Sequence, residues 1–306
     1  MGKFNSRHFS LEKAGEGIYA AISKADGGAM ANAGFVDLGD QTIVFDTFNT
    51  QQAAQELKEM AQLITKRNEI KWVVNSHFHG DHIRGNQMFK DSVILSSQTT
   101  YEKMKDIHPE RIRKQKDELE GLASYIQSLE KQPGDENEKQ TQQISFLKEI
   151  EASLPTLELV LPQQTFNNGM KFYGTKRSAE ILTWGGGHSH SDAVLYIPEE
   201  KVIFMGDLLF VNTHPTLFEE SNPMNWVRLL EKAASLDIEK SIPGHGAIGS
   251  KRDLLKLKSY IEELYELASG NNSENPAIPN KYQDWSSPEV FYQNMKRVRG
   301  KIDLLH

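Results

Sequence analysis

Ile70-Lys71-Trp72-Val73-Val74-Asn75-Ser76-His77-Phe78-His79-Gly80-Asp81-His82 joins a short apolar run to a dense cluster of metal-binding side-chain types. Ile70 to Asn75 is rich in β-formers and too short for a helix, so His77 follows a strand end. On a strand, residues 77, 79 and 81 would face one side; on a helix they would diverge. In a loop, His77 and His79 bite one cation while Asp81 and His82 turn to a second. Gly80 would permit the sharp turn between the pairs. Burying so many N and O donors is costly unless a cation balances them. With 10 His in 306 residues, a chance cluster is the weaker explanation.

A catalytic metal site needs further protein ligands and an open position for water. His188 follows Trp184-Gly185-Gly186-Gly187, where a strand ends and glycines would let the backbone approach a metal. Asp207 follows the strand Lys201 to Gly206, and a carboxylate there can bridge two cations. His245 sits in Pro243-Gly244-His245-Gly246, after the short strand Lys240 to Ile242. Singly each is an ordinary polar residue; together, all at strand ends, they complete a donor set. Without cysteine, that set is His and carboxylate only, and disulfides, thiolate catalysis and sulfur ligation are excluded.

The flanks read as mixed α and β. Strands are expected at Gly17–Ser23, Ala29–Val36, Gln41–Asp46 and Val93–Leu95, and a helix at Gln51–Lys66, where Ala54, Leu57, Ala61 and Ile64 share a face. After Pro155, strands are expected at Glu158–Leu161, Met170–Tyr173, Ser178–Trp184, Ala193–Ile197 and Lys201–Met205. Helices follow at Asn225–Leu236, Leu254–Ala268 and Pro288–Leu305. Gly270 to Pro288 reads as a linker or surface excursion.

Residues 99–154 break the rhythm. Ile112, Leu119 and Ile126, and likewise Leu122 and Leu129, recur every seven residues. Gln132-Pro133-Gly134-Asp135 is a turn, and Ile144, Leu147, Ile150 and Leu154 mark a second arm. The pattern predicts an inserted helical hairpin, either a stabilising flap or a homodimer contact, with a lid over the substrate pocket as the alternative.

Hydrophobic residues make up 38%, charged residues 25%, and the net charge is −7. These values describe a globular chain and speak against a dedicated nucleic-acid binder. No apolar run approaches the ~20 residues of a membrane span. Met1 to Lys13 lacks a basic start followed by an apolar stretch, so no signal peptide is read and a cytoplasmic location is expected.

Phe45-Asp46-Thr47, the hexapeptide 77–82, Gly187-His188-Ser189-His190-Ser191-Asp192, Gly206-Asp207 and Pro243-Gly244-His245-Gly246, in that order, resemble the metallo-β-lactamase superfamily over roughly Gly15 to Gly249. The resemblance implies an α+β fold, a four-layer αββα sandwich with the metals at one edge of its sheets. The chain is read as one domain of that fold over 1–306; the inserted hairpin 99–154 is its main departure from the family pattern, and 270–306 is a C-terminal extension. The resemblance places His77, His79 and His188 on a first metal, Asp81, His82 and His245 on a second, and Asp207 between them. Asp46 matches an acidic position that supports the site from behind.

The activity so implied is hydrolysis of a small-molecule ester, lactone, thioester or related bond by a water that two divalent cations activate. Asp81 would hold that water and shuttle its proton. Zinc suits the donors best, with iron or manganese as alternatives. A phosphodiesterase or nuclease and a di-iron redox protein are the competing readings. Phe78, Trp184, Phe210, Asn212 and His214 are candidate walls of a substrate pocket, and His190 a candidate supporting residue. His8, His108 and His306 are expected to be solvated.

Overall fold

The computed structural model describes residues 5–131, 138–270 and 276–303. The chain divides into two compact units, Met1–Asn167 with Tyr173–Arg177, and Asn168–Phe172 with Ser178–His306.

The first unit is built on a seven-stranded sheet. Strands β1 (Phe9–Gly15), β2 (Ile18–Ser23), β3 (Ala33–Asp37) and β4 (Thr42–Phe45) form an antiparallel meander. Helix α1 (Gln51–Thr65) then crosses over to β5 (Trp72–Val74), which pairs parallel with β4. Thr50 caps α1 by accepting the Ala53 N–H at 3.3 Å, and Lys66 ends it in a left-handed conformation. Ala53, Ala54, Leu57, Met60 and Ala61 of α1 bury one face against Phe35, Val44 and Val73 of the sheet. That packing fixes the end of β5, from which the donor loop leaves. The short helix α2 (Gly80–Ile83) and β6 (Val93–Ser97) follow.

Strand β1 was not expected. It is an edge strand whose buried side chains are only Phe9 and Ala14, too sparse to give a period-two signal. His8, expected to be solvated, is buried just before it, and its Nδ1 accepts the Gly28 N–H at 3.0 Å.

The expected hairpin contains three helices: α3 (Gln98–Asp117), α4 (Leu119–Lys131) and α5 (Glu138–Ser153). The first arm breaks at Glu118 because the buried stripe of α3, Thr100, Met104, His108 and Ile112, meets Gln115 and Lys116 instead of continuing. The expected turn at 132–135 lies outside the described residues. Ile112 packs with Leu154 and Leu157, joining the base of α3 to the end of α5. Glu158–Leu161 is not a strand. Its Glu158 N–H goes to Gln87 Oε1 at 2.7 Å, and its Val160 carbonyl accepts from Asn86 at 3.0 Å, so side chains take the place of a neighbouring strand. The sheet closes one segment later with β7 (Gln164–Phe166), parallel to β6.

The second unit carries a five-stranded sheet, in spatial order β12-β11-β10-β9-β8. Its strands are β8 (Gly169–Tyr173), β9 (Ser178–Thr183), β10 (Ala193–Ile197), β11 (Val202–Phe210) and β12 (Lys240–His245). Strands β9 to β11 are antiparallel, and β12 lies parallel to β11 after a crossover through α6 (Pro223–Ala234). Helices α7 (Lys251–Ser269) and α8 (Pro288–Asp303) complete it. Asn222 caps α6, and a Ser250–Asp253 capping box starts α7. Trp226, Leu230, Leu254, Leu257, Tyr260 and Phe291 pack with Ile203, Met205 and Leu209 of β11. Of the expected linker 270–288, residues 271–275 lie outside the described residues, and the remainder is not all at the surface. Tyr282 and Trp285 are buried, and Trp285 stacks on Tyr260 at 5.1 Å.

Two expected strand ends move. Strand β11 runs through Asp207, and β12 includes His245. The pairing is irregular where it matters. Gly206 faces Pro243 and Phe210 faces His245, so β11 is bulged over Asp207. Gly206 has a φ of 51°, and Pro243 has no N–H to offer the ladder.

Candidate metal centre

In the first unit, the donor loop starts where β5 ends and becomes α2. His77 and His79 lie in the loop; Asp81 and His82 sit on the short helix rather than in the loop expected for them. His79 occupies the N-cap position but makes no side-chain cap, because its ring turns to His77, with Nδ1 3.0 Å from His77 Nε2. His82 Nε2 lies 3.7 Å from Asp81 Oδ2. The loop therefore presents two pairs of donors. Gly80 has no left-handed φ, so it is not the sharp turn expected. Its missing side chain makes room for Arg84, whose Nε would stand 2.8 Å from a Cβ.

Asp46 organises both pairs from behind. It is buried with a φ of 58°, a conformation that Asp tolerates better than most residues. Its carboxylate accepts the Ser76 N–H at 2.7 Å, the Ser76 hydroxyl at 2.8 Å and His82 Nδ1–H at 2.8 Å. Burial pushes the Asp46 carboxyl above the usual carboxylate range, an effect that the His82 ring and the Ser76 donors only partly offset. The single Ser76 hydroxyl proton goes to Asp46, so Ser76 accepts from His77 Nδ1–H at 2.9 Å. Both imidazoles are thereby held with the Nε2 lone pair directed away from Asp46, the form that binds a cation.

In the second unit, His188, Asp207 and His245 meet although they come from separate segments. Asp207 Oδ2 lies 3.2 Å from His188 Nε2, and Asp207 Oδ1 lies 3.4 Å from His245 Nε2. Each carboxylate oxygen thus faces one imidazole. Gly244 is required here: a Cβ would lie 1.9 Å from Asp207 Oδ1. The glycines before His188 serve folding of their own loop. A Cβ at Gly187 would lie 2.9 Å from the Trp226 backbone, and one at Gly186 2.2 Å from the Ser189 carbonyl. Buried Asp192 holds that loop, accepting the N–H groups of Gly187 at 2.7 Å and His188 at 3.0 Å. Trp226 meets the His188 ring edge to face at 5.3 Å, and Phe210 stacks on His245 at 5.0 Å.

The remaining candidates spread out. Phe78 and Phe210 are buried, Trp184 is half-buried under Lys232, and Asn212 and His190 are exposed. His214 is buried beside Tyr260, Trp285 and Phe291, with Nδ1 3.0 Å from the Tyr260 hydroxyl. It is a core residue, not part of a solvent-facing loop. His108, expected to be solvated, is fully buried and donates from Nε2 to the Phe78 carbonyl at 2.6 Å. His306 lies outside the described residues. Ser76, Arg84 and the role of Asp192 are not among the residues the sequence singled out. For His108 the signal was present, midway between Met104 and Ile112 at a spacing of four residues from each.

A family model described as the metallo-beta-lactamase superfamily matches residues 26–245. The chain belongs to the metallo-β-lactamase superfamily. Among solved structures it is similar to the DIM-1 metallo-β-lactamase, at 18% identity and a TM-score of 0.58 over 85% of this chain and 99% of that one. A metallo-β-lactamase from Pontibacter korlensis matches at 16% identity and TM-score 0.56, over 83% of this chain and 99% of that one. One from Hirschia baltica matches at 17% and 0.57, over 83% and 98%. No curated protein matches the sequence. At these identities the neighbours establish the α+β metallo-β-lactamase fold that was expected. Members of the superfamily are mostly hydrolytic metalloenzymes. The donors fit that chemistry: imidazoles fixed as lone-pair donors and a carboxylate with its oxygens divided suit divalent cations. Among the described residues no helix is long and apolar enough to cross a membrane.

Proposed function

We propose that this chain is a dinuclear metal-dependent hydrolase of a small-molecule ester, lactone, thioester or related bond. On this reading residues 1–306 are one domain, with 99–154 inserted and 270–306 appended. His77, His79 and His188 would hold one cation, Asp81, His82 and His245 the other, and Asp207 would bridge them; all seven are of types that can hold a metal ion. The observation that carries this reading is the division of the Asp207 oxygens between two imidazoles, at 3.2 and 3.4 Å. That arrangement suits a carboxylate shared between two cations, each of them also held by one of the imidazoles.

Cations held there would polarise the scissile carbonyl and bring the acidity of a water near neutrality. The chain's own part is positioning. Asp81, with its side chain 14% exposed, would orient the incoming water and take up its proton. His82, tied to Asp46, and His77, tied to Ser76, would stay in one tautomer through the cycle. Zinc is the first expectation; iron or manganese would use the same donors.

Metal analysis of the purified protein, before and after chelation, tests the first half. Two cations per chain and activity lost on chelation are expected. A panel of chromogenic lactone, thioester, phosphodiester and cephalosporin substrates tests the second. Hydrolysis of the phosphodiester alone would overturn the substrate class, and iron with oxygen consumption would favour a redox protein.

A further inference from the structure

The inserted helix α3 carries a histidine that the chemistry above does not use. Thr100, Met104, His108 and Ile112 form its buried stripe. Met104 packs on Phe78, between the two residues of the first donor pair, and on Ile83, just after the second, and Ile112 packs on Leu154 and Leu157. An apolar residue at 108 would continue this stripe at no desolvation cost. An imidazole there is costly unless its N–H is used, and the N–H is used on one acceptor, the Phe78 carbonyl, at 2.6 Å. Phe78 is the residue between His77 and His79. A bond to its carbonyl fixes the plane of the 78–79 peptide, and with it the extended backbone of His79, at φ −67° and ψ 148°. That backbone aims the His79 ring at His77.

A second contact joins the same two segments. Arg84, just past α2, is buried and packs where a Gly80 side chain would be. Its guanidinium donates to Gln115 of α3 at 2.5 Å and to Asn49, beside α1, at 3.2 Å. The donor segment 78–84 is therefore gripped by α3 at its start, through His108, and at its end, through Gln115.

The geometry points to His108 as a positioning residue for the metal-donor loop, with α3 of the insertion acting as a brace that sets the His77–His79 pair through the Phe78 carbonyl. This rests on the metal-site reading above and adds a role for the insertion. The role differs from that of a flap, a lid or a dimer contact, because it acts on metal affinity and geometry before any substrate binds.

The test is metal binding by full-length wild type, His108→Leu and His108→Gln, read by cobalt(II) absorption and by zinc competition with a chromophoric chelator, beside thermal unfolding of the metal-free forms. Leucine keeps the bulk and loses the donor; glutamine offers an N–H again. A supporting outcome is a His108→Leu protein that melts near wild type, binds its first cation about 10- to 100-fold more weakly, shows an altered cobalt spectrum, and is largely rescued in His108→Gln. Wild-type affinity and spectrum in His108→Leu overturn the inference while leaving the metal site standing. A wild type that binds no cation overturns both. If His108→Leu does not fold, long-range ¹H–¹⁵N spectra of the wild type decide. The Nε2–H tautomer at His108, with a metal-dependent shift, supports the brace; the Nδ1–H tautomer refutes it.

Discussion

The first unit draws its four donor side chains from six consecutive residues, 77–82, whereas the second draws three from positions spread between 188 and 245. The hexapeptide is a local device. A strand ends, a loop and one turn of helix follow, and the donors pair because they are neighbours. The second set depends on topology. Asp207 and His245 meet because β11 and β12 lie side by side, with a bulge over Asp207 and a glycine at 244 that leaves space for its carboxylate. His188 joins them from a loop that Asp192 and Trp226 hold. The lesson is that contiguous donors need support from behind, and dispersed donors need the sheet itself to be in register.

The sharpest way to break this comparison is Asp207→Asn. If Asp207 serves two cations, its loss strikes both, whereas any donor of the hexapeptide would serve one. Metal content should fall below two per chain, and hydrolysis should drop by more than the roughly 100-fold that an outer partner can cost. Full metal content by mass spectrometry would deny Asp207 the bridging place.

Asp46→Asn comes next. The amide can still accept from His82 but brings no negative charge, and Ser76 loses its strongest acceptor. Metal affinity should weaken about 10- to 100-fold, chiefly at the cation that His82 would hold. Unchanged affinity in chelator competition would mean that the hexapeptide orients itself unaided.

The sequence exposed His77, His79, Asp81 and His82 as a cluster, because they are neighbours within six residues. It also exposed His188, Asp207 and His245 as a set. What it did not expose was their setting. The φ of Asp46, the relay from His77 through Ser76, and the bulge at Gly206 depend on residues far apart in the chain. In the fold, long periodic helices such as α1, α6 and α7 were readable. The edge strand β1 was not, since only Phe9 and Ala14 are buried along it, and neither were the coil at 158–161 and the buried Tyr282 and Trp285, whose partners lie in other segments.

A smaller effect should come from pH. Burial lowers the His108 pKa from its ordinary 6.5 to about 4. Between those values the unfolded chain binds a proton that the folded chain does not. Stability contributed by neutral His108 is therefore complete above pH 6.5 and is lost as pH falls towards 4. The loss is at most about 3 kcal/mol across the window. Wild type and His108→Gln share every other titrating group, so the difference between their urea-unfolding free energies should narrow or reverse on acidification. A difference that stays constant from pH 7 to 4.5 would remove the titration from the account.

The smallest effect is expected where α4 lies away from the donors, and it sharpens the contrast by having no reach. Gly121 is in α4, where an added methyl would meet nothing within 4 Å, and it has no left-handed φ. It therefore carries the entropy cost of glycine in a helix without the steric need that Gly244 has beside Asp207. Gly121→Ala should raise stability by about 0.5–1 kcal/mol and leave metal content and affinity untouched. The brace on the donor loop runs through α3, at His108 and Gln115, and ends before α4 begins at Leu119. If a methyl at 121 altered cobalt binding, the coupling between insertion and metal would extend through α4 as well, and the line drawn at Glu118 would be in the wrong place.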